Sequence, residues 1–228
     1  MFVTGIGKGL GNELFRQLCA RGYRVTGLLR NADDHLRLQA DLPSNARLVL
    51  ADVSLNGVTD IIREAVLEPV DLLINNAGVS GRGIRIEKID PDEVNAVFNV
   101  HCTGVLRVVQ ALLPKLLAAE DPTVLNISSR MGSINGQSSG TYKELAVSYS
   151  YRIAKAAQNM LTASLRNELG DRIKFISLHP GRMRTQKAQK DADMEPSESA
   201  RNIISAWETG ALQVADGILE LPGKILPW

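Results

Sequence analysis

The sequence predicts an α/β fold: a doubly wound parallel sheet of about seven strands with helices on both faces. Three observations carry this. Nearly continuous apolar runs alternate with segments of helical period from end to end, which implies a parallel sheet covered on both sides. Right-handed crossovers between such parallel strands then give a doubly wound sheet, and a glycine cluster follows the first run and opens the first helix. The chain has 228 residues with 44% hydrophobic content, enough for one sizeable core and tight for two.

Each element has its own reason. Met1–Thr4 is a clipped first strand, and Leu10–Arg21 a helix with Leu10, Leu14 and Leu18 at four-residue spacing. Gly22 ends that helix, and Tyr23–Leu29 is a β-rich run. Ala32–Ala40 is a short polar helix and Ala46–Leu50 a buried strand. Ser54 is placed to cap a helix continuing to Leu67, and Asp71–Asn75 is the fourth strand. Pro91 suits a first helical position, and a long helix runs from there to about Ala119. Thr123–Ser128 is a strand, Ala146–Leu169 a second long helix, and Lys174–His179 a strand. Ser197–Glu208 is a helix and Ile218–Leu221 the last strand. Two polar stretches, Gly132–Lys143 and Gln186–Glu195, read as loops, and no linker divides the chain, so 1–228 reads as one domain.

Composition excludes several roles. A net charge of +1 gives no bulk field for nucleic acid or an anionic membrane. No window reaches the roughly 18 apolar residues of a membrane span, and Met1–Gly5 lacks the features of a signal peptide. Cys19 and Cys102 fall in helix-like segments and read as thiols of a reducing, cytoplasmic compartment. His35, His101 and His179 are scattered without metal-ligand spacing, so no metal is expected. G-x-S-x-G is absent.

The motifs point to a dinucleotide. In Thr4-Gly5-Ile6-Gly7-Lys8-Gly9-Leu10-Gly11, glycines let the backbone approach a pyrophosphate while the helix N-terminus supplies N–H groups. This makes the fold Rossmann-like. The second strand ends in Leu29-Arg30-Asn31, not in an acidic residue that would hold a ribose 2′-hydroxyl. Arg30 and Lys8 can instead pair with a 2′-phosphate, which selects NADP(H). Tyr151 and Lys155 stand at i and i+4 on one helix face. A neighbouring ammonium favours the phenolate, so the tyrosine can exchange a proton with a carbonyl oxygen or an alcohol. Tyr149 and Tyr142 have Ile153 and Ala146 at that offset, so only Tyr151 has the lysine. Ser128 and Ser129 point to opposite faces if the strand persists.

Asn75-Asn76-Ala77-Gly78, Asn99, Ser129-Arg130-Met131-Gly132, Tyr151-Arg152-Ile153-Ala154-Lys155 and Pro180-Gly181-Arg182-Met183-Arg184-Thr185 form an ordered set. With the glycine turn, this set resembles the short-chain dehydrogenase/reductase family over essentially the whole chain. Ser129–Ile134 and Tyr151–Met160 resemble its C-factor-like carbonyl reductases. The resemblance implies NADPH-dependent reduction of a carbonyl to an alcohol, or the reverse. Tyr151 is then the acid/base, and Lys155 tunes it and holds the nicotinamide ribose. Ser129 orients the carbonyl, and Asn99 supports a water linking the lysine to solvent. Asp52 and Val53 would frame adenine, Asn76, Ala77 and Gly78 would line the cofactor, and Pro180, Gly181, Met183 and Thr185 would fix the carboxamide. The family also implies a homodimer or homotetramer through the two long helices.

Tyr151 lies 22 positions after Ser129, more than most members carry, so the insert Ser133–Ser150 should bulge near the active-site mouth. Arg130, Arg182, Arg184, Lys187 and Lys190 are candidates to contact an acidic substrate. A silent NADP(H)-binding sensor or signalling protein on the same fold is the alternative, and it has no need of the full Asn99–Ser129–Tyr151–Lys155 set. An enoyl reductase is disfavoured because Ser148 stands where such enzymes place a tyrosine. Sugar-nucleotide enzymes are disfavoured by the short stretch after Thr185.

Overall fold

The computed structural model describes residues 1–184 and 192–228. Strands β1 (Phe2–Thr4), β2 (Val25–Leu29), β3 (Ala46–Leu50), β4 (Leu72–Asn75), β5 (Thr123–Ile127), β6 (Lys174–His179), β7 (Ile218–Glu220) and β8 (Lys224–Leu226) form one sheet. Its order is β3-β2-β1-β4-β5-β6-β7-β8, parallel except for the β7–β8 pair. The eighth strand departs from the expected seven. Lys224–Leu226 follows Pro222-Gly223 and pairs antiparallel with β7.

Side-chain alternation divides the core. Phe2 packs on one face with helices α3 (Val58–Ala65) and α5 (Gly104–Leu117), among Ile62, Leu112 and Leu116. Val3 packs on the other with α1 (Gly9–Ala20) and α8 (Pro196–Glu208), among Leu14, Leu18, Ile203 and Ile204. The other α-helices among the described residues are α2 (Ala32–Gln39), α4 (Pro91–Phe98), α6 (Ile134–Ser138) and α7 (Tyr149–Leu169).

Local chemistry corrects several boundaries. Asn31 caps α2 by accepting from the Asp34 N–H at 2.8 Å. Ser54 does not cap α3. It bonds Asp52 Oδ1 through its own N–H and hydroxyl, and Gly57 holds the N-cap. α7 begins at Tyr149, not Ala146, because Ser148 accepts from the Tyr151 N–H. The Gly/Ser-rich loop contains α6, capped by Ser133, whose Oγ accepts from Gly136 N at 2.9 Å.

The long helix Pro91–Leu117 is interrupted by a π turn at Asn99–Thr103. Contrary to the sequence reading, this run is long and apolar enough to cross a membrane, with a mean hydropathy of 1.4 over its best window. Half of that window is buried: α5 packs on the sheet and α3, and α4 packs on α7. It is a flanking helix of the sheet.

β1 lies between β2 and β4, where the sheet order reverses. Crevices open outside the carboxyl ends of strands at such a switch point.

Candidate active site

Two clefts open there, with the segment Gly78–Gly81 running from one to the other. The first, about 390 Å³, is lined by Gly5, Gly7, Lys8, Leu10, Gly11, Arg30, Asp52, Val53, Asn76, Ala77 and Gly78. Gly9 does not line it. Its φ of 57° shapes the turn instead.

The turn is built for close approach. A Cβ on Gly5 would stand 2.7 Å from Ala77 Cα, and one on Gly11 2.2 Å from the Gly5 carbonyl oxygen. Thr4 Oγ1 accepts from the N–H groups of Asn76 and Ala77, both at 3.0 Å. Asn76 Nδ2 returns hydrogen bonds to the Thr4 and Gly5 carbonyls. The turn is thereby stitched to the end of β4. Lys8, the N-cap of α1, makes no side-chain cap, so the helix presents uncapped N–H groups to the cleft. This fits a bound pyrophosphate.

Arg30 has 60% of its side chain exposed, with Nη1 3.8 Å from Asp52 Oδ2, and Lys8 is exposed on the same cleft. Sequence reasoning missed Arg37. Its Nη2 donates to the Gly7 carbonyl at 2.6 Å and to Asp34 at 2.8 Å, bracing the turn from α2. The signal was the i,i+3 Asp34–Arg37 pair in the helix after Arg30.

The second cleft, about 460 Å³, holds Ser129 and Tyr151. Pro180, Gly181 and Met183 also line it, while Thr185, Lys187 and Lys190 lie outside the described residues. The two serines diverge as the strand predicts. Ser128 Oγ donates to Asn159 Oδ1 at 2.6 Å, whereas Ser129 hydrogen-bonds the Tyr151 phenol and accepts from the Met131 N–H.

Lys155 is 4% exposed. Its ammonium donates to the Ile127 carbonyl and to Gln158 Oε1 at 2.9 Å, and lies 5.7 Å from the Tyr151 ring centroid. Burial lowers its pKa from 10.5 to about 7. The phenol moves against the sequence expectation. Burial raises the Tyr151 pKa, and the Ser129 hydrogen bond only partly offsets it. The chain alone therefore holds Tyr151 as a protonated acid.

Asn99 is not brought to this group. Its Nδ2 donates to the Ser54 carbonyl at 3.0 Å, and its Oδ1 accepts from Arg107 at 2.8 Å. The residue against Tyr151 is His101, with ring centroids 5.4 Å apart and planes at 90°. Sequence reading dismissed His101 because it tested histidines only for metal spacing.

Arg152 fixes the insert. It donates to Gln137 Oε1 and to the carbonyls of Leu145 and Val147, and Leu145–Ser148 form one wall of the second cleft. Arg130 stands over the Tyr142 ring, 5.9 Å from its centroid. Arg182 pairs with Asp193 and Arg184 with Glu195, so both pairs tie the segment after β6 to the start of α8. Among the described residues, no group of three or more His, Cys, Asp or Glu could hold a metal ion.

A glycine-turn dinucleotide cleft beside a Ser–Tyr–Lys cluster defines a nucleotide-dependent oxidoreductase of the doubly wound class. The short chain dehydrogenase family profile matches residues 1–196, and the chain belongs to that family. It is 33% identical over 161 residues to the C-signal protein of Myxococcus xanthus, covering 70% of this chain and 93% of that one. It is 27% identical to an NADPH-dependent pterin aldehyde reductase of Arabidopsis thaliana, covering 82% and 75%. The structure of an NADPH-bound carbonyl reductase from chicken fatty liver superposes with a TM-score of 0.86 at 25% identity, covering 100% and 98%.

Proposed function

We propose that residues 1–228 form one NADP(H)-binding unit that reduces the carbonyl of a small molecule to an alcohol. The single observation that carries this is the Ser129–Tyr151–Lys155 cluster, in which Ser129 and Lys155 are buried and Tyr151 is half-buried at the second cleft with its phenol held protonated. Bound NADPH supplies the hydride, which no side chain can. The Gly5–Gly11 turn and the α1 N-terminus hold the pyrophosphate, and Lys8 and Arg30 take the 2′-phosphate. Asp52 and Val53 frame adenine. Lys155 holds the ribose, and Pro180, Gly181, Met183 and Thr185 take the carboxamide end. Ser129 hydrogen-bonds the substrate oxygen and sets its orientation. Tyr151 gives its proton to the alkoxide that develops there, and its raised pKa keeps that proton available near neutral pH.

Cys19 and Cys102 are free thiols, which supports residence in a reducing cytoplasm. A second reading draws on the C-signal relative: an NADP(H)-binding signalling protein without turnover. One experiment separates them. NADPH oxidation is followed with a panel of aldehydes and ketones, for the parent and for Tyr151→Phe. The proposal expects turnover in the parent and at least a roughly thousandfold loss in the variant, with NADPH Kd unchanged. Parent-like turnover in Tyr151→Phe removes Tyr151 from the chemistry. NADPH binding without turnover in the parent favours the signalling reading.

A further inference from the structure

Glu93 stands half-buried in the first turn of α4, where free N–H groups favour a carboxylate, and it lines neither cleft. Its Oε1 accepts hydrogen bonds from two other parts of the chain, the Arg82 N–H at 2.8 Å and the Ser150 hydroxyl at 2.9 Å. Ser150 is 2% exposed, and its hydroxyl oxygen lies 3.2 Å from that of Ser148, which accepts from the Tyr151 N–H. Beside this group the Tyr149 N–H donates to the Gly83 carbonyl at 3.1 Å. The segment after β4 is thereby held on the first turn of α7, the turn that carries Tyr151. The approach is close. A Cβ on Gly81 would stand 1.8 Å from Ser150 Oγ, 2.4 Å from Ser148 Oγ and 2.7 Å from Glu93 Oε1, so only glycine lets the backbone come this near.

Both of the held pieces are walls of the second cleft. Ser80, Gly81 and Arg82 line it from the segment after β4, and Ser148 and Tyr151 line it from the start of α7. We propose that Glu93 is a positioning residue that latches the first wall onto the second and so sets the width of the substrate cleft. It acts through the Arg82 backbone and the Ser150 hydroxyl and does not touch the substrate. The wall already stands as close to α7 as a glycine permits, so releasing the latch moves it outward. A wider cleft admits bulkier carbonyls and holds small ones less firmly against the Tyr151 proton. This rests on the reading of Tyr151 as the acid and of the second cleft as the substrate site. It goes further by naming the group that fixes how wide that site is.

Two readouts test this, and the first needs no substrate. Amide hydrogen exchange is measured with NADP⁺ bound in the parent, Glu93→Leu and Glu93→Gln. Leucine has no acceptor, whereas glutamine keeps a carbonyl oxygen for both donors. In Glu93→Leu, exchange at Arg82 should rise about tenfold, the effect of losing one charge-assisted hydrogen bond. Exchange at Tyr149 should rise with it, because its acceptor Gly83 O moves with the wall. Glu93→Gln should bring both back to within about threefold of the parent. A rise confined to Arg82 overturns the proposal. The second readout is kcat/KM for a bulky aryl ketone divided by that for a short linear aldehyde. Glu93→Leu should raise this ratio about tenfold, chiefly through KM, with NADPH Kd unchanged, and Glu93→Gln should restore it. Gly81→Ala keeps Glu93 and both serines but pushes the wall off them, so it should shift the ratio in the same direction. A ratio that stays at the parent value in either variant overturns the proposal, and Gly81→Ala decides if Glu93→Leu fails to fold. A parent that turns over no carbonyl counts against the proposed function alone, and the exchange data still decide the latch.

Discussion

Replacing Lys155 with methionine isolates the cost of burying its charge. Methionine matches the length of the lysine stem and removes the ammonium. In the folded protein burial lowers the Lys155 pKa to about 7, while the unfolded chain keeps about 10.5. Between pH 7 and 9 the folded lysine loses its proton and the unfolded one retains it. The unfolded state therefore binds more protons, and stability rises with pH. The contribution is complete above 10.5 and is lost as pH falls through 7. Over pH 7 to 9 the linkage integral comes to about 2 kcal/mol, or roughly 4–8 °C in Tm for a chain of this size. Methionine also leaves Ile127 O and Gln158 Oε1 without their donor, but that penalty is the same at both pH values. His101, at about 3, does not titrate in this window. The assay is urea unfolding of cofactor-free parent and Lys155→Met at pH 7 and pH 9. The parent should gain about 2 kcal/mol more than the variant between the two. Parallel pH dependences would refute the reasoning.

Three further outcomes are expected. Gly11→Ala drives a methyl to 2.2 Å from Gly5 O and 2.3 Å from Asn76 Nδ2, so NADPH Kd by fluorescence should rise about a hundredfold. A change below about threefold would mean the turn does not hold the pyrophosphate. Arg30→Gln removes a guanidinium from the first cleft, and the ratio of kcat/KM for NADPH over NADH should fall about tenfold or more. An unchanged ratio assigns the 2′-phosphate elsewhere. Arg152→Met leaves the Leu145 and Val147 carbonyls without their donor, at a cost of about 1–3 kcal/mol. Because those residues wall the second cleft, KM for the carbonyl substrate should rise about tenfold while NADPH Kd holds. Equal effects on both constants would place the damage in the fold at large.

The fold was legible because its signals are periodic. Leu10, Leu14 and Leu18 all face one core cluster, and the runs around Leu73, Val124 and Phe175 form the sheet. The unread elements lack that kind of signal. Lys224–Leu226 is three residues long, and only the neighbouring edge of β7 makes it a strand. α6 is INGQS, poor in helix formers. It exists because Ser133 caps it and because the chain end reaches it: the Ser133 hydroxyl donates to Pro227 O, and Asn135 N–H donates to Trp228 O at 2.8 Å. Neither long-range bond is visible in a local window.

Asn99 and His101 show the same limit within the site. Two positions along a helix is roughly half a turn, so the two side chains leave on opposite sides and the sequence alone does not show which one meets Tyr151. Apolar periodicity could have corrected this only if the helix were uniform. It is not, because the π turn widens the helix between α4 and α5. That shift lets α4 pack on α7 while α5 keeps its apolar stripe on the sheet and α3. At the turn itself it sends Asn99 outward to Arg107 and Ser54, and His101 inward to Val79 and Tyr151. A polar group at the break is therefore specified by the packing of two helices as much as by its own chemistry. A residue inserted into or deleted from Asn99–Thr103 should disturb Tyr151 and the α5 core together, whereas His101→Asn should disturb neither packing face.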